Sequence, residues 1–324
     1  MKIRESAART GRRRSSAKAA ALALAVFALV CVQQSAEAGS REQAKRIFDR
    51  LTGTAPTDAQ LQALEAALGG SPSTHASRAT AAYALLNSAD AKGFYSVTLK
   101  NFATPWTNRD QTIFAPLNDY TAIVIGTVRD NEQHDFRDIL SDDVLYVASS
   151  GPAPSATSNA HFEALESSNA NLQTALTRTT QSGVYGLPVN ATAGLITSRA
   201  ASEAFFIDGT NRAMFRFTLL NHLCRDMEQM HDTTRPPDRI RQDITRSPGG
   251  DSSVFLNNCI GCHNGMDPMA QAFAYYDFDE TQGRLVYTPG VVQPKYFINA
   301  DNFKPGFVTP NDSWENRWRL PGHN

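Results

Sequence analysis

Cys259-Ile260-Gly261-Cys262-His263 places two thiols and an imidazole within five consecutive residues. Thiols at this spacing fall on one helical turn, where both can add to the two vinyl groups of a haem as thioethers. His263 then lies beneath the ring and can donate a nitrogen to the iron. Cys-x-x-Cys-His therefore reads as a c-type attachment site for one covalent haem per chain. Two other chemistries suit the same residues: a Cys259–Cys262 disulfide, and a three-ligand zinc site that lacks an obvious fourth partner. A thioredoxin-like redox pair wants a strand running into a helix, whereas Phe255-Leu256-Asn257-Asn258 leads in as a helix.

An iron held by His263 has an opposite face. No methionine follows Met269, and Met266 and Met269 stand too close to His263 in sequence to reach that face. The upstream candidates are Met214, His222, Met227, Met230 and His231, with His323 near the end of the sequence. Met214 and Met227 lie on or near a helical apolar stripe and read as core side chains. His222 reads as a surface or hydrogen-bonded imidazole. Met230 or His231, at a helix end from which a loop can carry one of them to the iron, are the distal candidates, beside an open sixth position.

Other groups carry weaker signals. Cys224 falls on the stripe of Ala213, Phe217, Leu220 and Met227 and reads as a buried, inert thiol. Arg225, Arg235, Arg239, Arg241 and Arg246 suit haem propionates or an acidic redox partner, or else form a solvated loop around Pro236-Pro237. Phe255, Phe273, Tyr275, Tyr276 and Phe278 suit either a shield for the haem or plain core packing. No Ser/His/Asp pattern, Walker loop or Gly-x-Gly-x-x-Gly is present, so no catalytic residue is assigned.

The run His263-Asn264-Gly265-Met266-Asp267-Pro268-Met269, followed by Phe273 and Tyr276-Asp277, resembles the haem-side signature of the cytochrome-c-like families of unknown function common in planctomycetes and other bacteria. In those families an Asp-Pro step and an aromatic segment precede a Gly-x-Arg, for which Gly283-Arg284 stands here without the intervening residue. Arg50-Leu51-Thr52-Gly53 with Pro56-Thr57 resembles the opening of a domain often found alongside. Gly194-Leu195-Ile196-Thr197 and Gly209-Thr210-Asn211-Arg212 resemble a stretch ahead of the haem motif. The resemblance implies haem binding more than any reaction.

The elements that must position these residues begin after a leader. Residues 1–38 hold seven basic and two acidic groups, then the apolar run 19–30 and Ala36-Glu37-Ala38, which reads as a signal peptide with its cleavage site. The run is shorter than the about 20 residues that span a bilayer. Removing the leader from 31 Lys+Arg and 32 Asp+Glu leaves 24 and 30, a net charge of −6 on residues 39–324. A mildly acidic body gives no reason to expect nucleic acid. Three cysteines in so long a body are no disulfide scaffold.

Helix signals follow: Ser40–Gln43 and Thr57–Gln60 as capping boxes, and Leu61–Leu68 and Ala76–Leu86 as apolar runs. Tyr120–Val128 suits a buried strand or a helix. The small residues and prolines of 149–158 read as a linker. His161–Thr180, Ala191–Phe206 and Asn211–Met227 read as helices, and 280–324 as turns with short strands. The expected architecture is mainly α: signal peptide 1–38, helical module 39–148, linker 149–158, and a haem-bearing cytochrome c-like module 159–324 with a loop-rich C-terminal region.

The expected protein is periplasmic or extracellular, with no transmembrane segment after cleavage. It is expected to carry one covalent haem c and pass single electrons between redox partner proteins, alone or in an envelope complex. The rival readings are a haem enzyme or gas sensor with an open iron position, and a scaffold component whose haem is structural.

Overall fold

The computed structural model describes residues 39–70, 73–105, 111–207, 209–235, 253, 255–296 and 309–317. The signal-peptide reading of 1–38, and Arg239, Arg241, Arg246 and His323, fall outside them. The chain is mainly helical. Among the described residues no helix is long and apolar enough to cross a membrane.

The chain divides into two units, one of 54–87 with the segment ending at Arg50, the other of 51–53 with everything from Ser88 on. The first unit holds most of α1 (Ser40–Thr52), then α2 (Asp58–Leu68) and α3 (His75–Leu86). Thr57 caps α2 as expected: its hydroxyl accepts from the Gln60 amide, and the Gln60 side chain accepts from the Thr57 amide at 2.8 Å. Ser40 departs from expectation. It is the first helical residue, and its hydroxyl donates to Glu65 at 2.6 Å instead of capping α1.

In the second unit a π-turn, Phe94–Thr98, runs into α4 (Leu99–Ala103), followed by α5 (Gln111–Phe114) and α6 (Asp119–Arg129). The ambiguous apolar run is helical because Asn118 and Thr121 close a capping box at its start. Tyr120–Thr127 is buried all round, as a central core helix must be. Tyr146 lies flat on Gly126, where a Cβ would stand 2.2 Å from the ring, so only glycine lets β1 (Leu145–Ala148) pack here.

Beyond β1 come α7 (Ala160–Ser167), α8 (Leu172–Ala175) and β2 (Leu176–Thr179). β1 and β2 pair antiparallel, Leu145 opposite Thr179 and Ala148 opposite Leu176. This corrects two expectations. The single helix His161–Thr180 is broken, because Asn169 adopts a left-handed φ of 51° that ends α7. The segment 149–158 separates no modules, since strands on both its sides belong to one sheet and one unit. Buried His161 pins it: its Nε2 accepts from the Ala148 amide at 3.1 Å, and its Nδ1 donates to the Pro152 carbonyl at 2.7 Å.

The remainder comprises α9 (Gln181–Tyr185), α10 (Arg199–Phe205), α11 (Arg212–His222), α12 (Ile260–Ala270) and the hairpin β3 (Tyr276–Asp279) and β4 (Arg284–Tyr287). Asp119 organises the start of α10. Its carboxylate accepts from the Arg199 and Ala200 amides at 2.5 and 3.0 Å and from the Tyr185 hydroxyl at 2.9 Å. The expected helix Ala191–Phe206 is therefore two 3₁₀ turns followed by α10, with Ser198 as its cap. α11 also stops early: Cys224 adopts a φ of 52° and is exposed, so it ends the helix instead of sitting in its core stripe.

Candidate functional site

The Cys-x-x-Cys-His motif begins on a π-turn, Phe255–Cys259, that feeds directly into α12. π-turns break the i→i−4 ladder and recur at functional sites. Cys259 and Cys262 are both partly exposed and both unpaired, so no disulfide joins them. Burial pushes the Cys262 thiol above its ordinary pKa, and the carboxylates of Glu228 and Asp226 push it the same way. A thiol so placed is no activated thiolate nucleophile.

His263 is oriented from behind. Its Nδ1 stands 3.3 and 3.2 Å from the two carboxylate oxygens of Asp267, one helical turn on. Asp267 is buried and is gripped by Arg212, whose Nε and Nη2 reach its two oxygens at 2.6 and 2.8 Å. Burial alone would raise the Asp267 carboxyl. Arg212, then His263, outweigh it and hold the group below the usual carboxylate range. Asp267 therefore stays ionised, and a carboxylate on Nδ1 fixes the orientation and tautomer of the ring.

Arg212 gets its place from the residue before it. Asn211 adopts a left-handed φ of 57°, and its side-chain amide donates to the carbonyls of Phe273 and Tyr276 at 2.8 and 2.9 Å. The start of α11 is thereby tied to the segment that follows α12. Further along α11, Phe215 and Leu219 bury Met266, with Met227, Met230, Met269 and Phe273 packed around them. This sulfur-rich apolar surface lies along the motif helix.

Both distal candidates come to the same helix. Met230 closes the 3₁₀ turn Met227–Met230 and joins the Met266 cluster. The His231 ring lies on Gly261, where a Cβ would stand 2.3 Å from its Cδ2 and Nε2, so an alanine there would occupy the place of the imidazole. The Asp232 amide donates to the Gly261 carbonyl at 3.0 Å, and the buried Asn264 side chain donates to the Arg235 carbonyl at 2.8 Å. These bonds clamp segment 231–235 on the motif.

The aromatic group divides. Phe273 reaches the Met266 cluster, but Tyr276 stacks on Phe206 at 5.6 Å and Phe278 is part of the main core. Tyr275 packs with Ala274, Val292 and Tyr296. Tyr275, Tyr276 and Phe278 are placed by core packing, Phe273 packs against both the main core and the Met266 cluster, and the Phe255 side chain lies outside the described ones. Among the described residues no three or more His, Cys, Asp or Glu side chains gather as a metal-holding group, which leaves the three-ligand zinc reading without a formed site.

The residues present suit a covalent haem by the chemistry of the donor set: two thiols three residues apart and not joined by a disulfide, an imidazole oriented through its Nδ1, and an apolar wall on the same helix. No motif in the sequence assigns a role to Asp267 or Arg212. The i,i+4 step from His263 to Asp267 was the available signal for the first, and nothing local marks the second. No protein-family model matches the chain, and neither a curated protein nor a solved structure does.

Proposed function

We propose that the chain is an exported monohaem c-type cytochrome that passes single electrons between redox partner proteins. Cys259 and Cys262 are its thioether tethers and His263 its proximal ligand. The observation that carries the reading is the placing of Asp267, gripped by Arg212, against His263 Nδ1 directly behind a Cys-x-x-Cys-His motif. When bound, the haem supplies a one-electron ferric/ferrous couple. Asp267 keeps the imidazole in one tautomer and raises its basicity, which favours the more oxidised metal. The Met266 cluster excludes water from one side of the motif helix, a second control over potential. Met230 and His231 both pack against α12, and either would have to leave that packing to hold the iron from the other face.

The absorption spectrum tests this on protein made in a periplasm competent for cytochrome maturation, recorded oxidised, reduced, and reduced with carbon monoxide. A low-spin spectrum indifferent to carbon monoxide supports the electron carrier. A high-spin spectrum that shifts with carbon monoxide transfers the proposal to a haem enzyme or sensor. A chain without a haem band overturns it.

A further inference from the structure

At the opposite end of α11 from Arg212, a cavity of about 310 Å³ opens between α6, the ends of α4 and α11, and the 3₁₀ turn at 136–140. Buried Val124 and Ile139 line it, while Phe102, Phe136 and Leu223 border it with 70%, 45% and 55% of their surface exposed. Those are three of the eight large apolar side chains found exposed among the described residues, gathered around one opening. Scattered exposed apolar residues need no explanation; a ring of them around a cavity marks a binding site.

Besides Arg137, the polar side chains lining the cavity are Thr104, Asn221 and the Tyr120–His222 pair; the Thr104 hydroxyl donates to the Lys100 carbonyl and the Asn221 amide to the Phe217 carbonyl, each at 2.9 Å, so both are engaged with their own helices. Tyr120 Oη and His222 Nε2 are 2.9 Å apart, and both residues line it. Burial holds the imidazole neutral by pushing its pKa down to about 4, and raises that of the Tyr120 phenol. The Tyr120 hydroxyl has no other acceptor among the described residues, so it donates to Nε2 and the ring proton sits on Nδ1. The pair thus retains one imidazole N–H and one phenol-oxygen lone pair not used within it. Among the described residues no carboxylate lines the cavity to hold a cation. The one cationic side chain lining it among the described residues, Arg137, is 89% exposed and bound to Asp135, poorly placed to neutralise an anion inside.

We infer that this cavity binds a small, neutral, flat ring carrying a hydroxyl or carbonyl oxygen, of the phenol or quinone class, with the ring among Phe102, Val124, Ile139 and Leu223 and the oxygen on the Tyr120–His222 pair. The volume suits a single ring at the lower end of ordinary ligand pockets. The inference uses neither the motif nor the haem, so it stands or falls separately from the proposed function.

The test is calorimetric titration of the purified full chain with p-cresol and with toluene, which share a ring and differ in the oxygen. p-Cresol is expected to bind with a Kd of roughly 0.1–1 mM, and toluene about tenfold more weakly. His222→Phe should bring p-cresol to the level of toluene. Leu140→Trp, from the partly exposed cavity wall, should abolish both while circular dichroism shows the fold retained. Equal binding of the two probes, no p-cresol binding at its solubility limit, or unchanged binding in a folded Leu140→Trp variant would each overturn the inference.

Discussion

His263 Nδ1 lies 3.2 Å from Asp267 Oδ2, with the carboxylate buried and the imidazole about a quarter exposed. The two are one helical turn apart, so α12 alone sets their distance. Arg212, 55 residues upstream, sets the charge. A buried carboxylate without that guanidinium would protonate and lose its hold on the ring. The geometry of the motif histidine therefore depends on a packing contact between α11 and α12.

Asp267→Asn tests that dependence in two ways. Breaking a buried ion pair on one side leaves the other charge uncompensated, so unfolding stability should fall by about 3 kcal/mol, read from the urea midpoint. In haem-loaded protein the reduction potential should rise, since a neutral amide donates less electron density through the ring. Loss of stability with an unmoved potential would assign Asp267 to the fold alone.

Gly261→Ala tests the seat of His231. A methyl at this position meets the imidazole at 2.3 Å, so the ring or the helix must give way, at about 1–3 kcal/mol of stability. In a His231→Ala background the same change should stabilise α12 by about 1 kcal/mol, since alanine is the better helix former. A double-mutant cycle over the four proteins reads the coupling. Additive effects would show that the ring does not rest on Gly261.

What was legible in the sequence is what the chain settles within a few residues. Thr57 and Gln60 close their capping box because both partners lie on one turn. Cys262, His263 and Asp267 share α12, so their order and spacing carry the motif's geometry. Breaks set by backbone conformation were harder to see. Asn169 and Cys224 end helices with left-handed φ values, and the apolar periodicity around Cys224 runs on past the point where the backbone turns. Contacts made at long range were invisible. Nothing near Pro152 announces that a buried histidine nine residues on will hold it, and a proline-rich run so held reads as a linker. The Arg212–Asp267 pair and the Tyr120–His222 pair belong to this class.

His222 predicts a pH dependence of stability. Its folded pKa lies near 4, against 6.5 for an unperturbed imidazole, because burial disfavours the charged ring. Between these values the unfolded chain binds more protons than the folded one, so stability rises with pH across the window and falls on acidification. The contribution amounts to about 3 kcal/mol between pH 7 and pH 4. His222→Phe should flatten this part of the stability–pH curve measured by urea denaturation. An unchanged slope would show that the ring is not buried in the folded state.

Asp119 carries the largest predicted effect on the second unit. Its carboxylate is 2% exposed and takes two backbone amides of α10, its own neighbour's amide at 3.0 Å and the Tyr185 hydroxyl. Asp119→Ala orphans these donors together, in a place where water does not replace the lost acceptor. At about 1–3 kcal/mol for each buried unsatisfied group, and with partial relaxation, stability should fall by about 3–5 kcal/mol. Asp119→Asn keeps an acceptor oxygen but brings two donors of its own, so it should recover only part of the loss. Hydrogen exchange separates this from a general weakening: the Arg199 and Ala200 amides should lose protection first, while those of β1 and β2 retain theirs. Uniform loss of protection would show that α10 has no local dependence on Asp119.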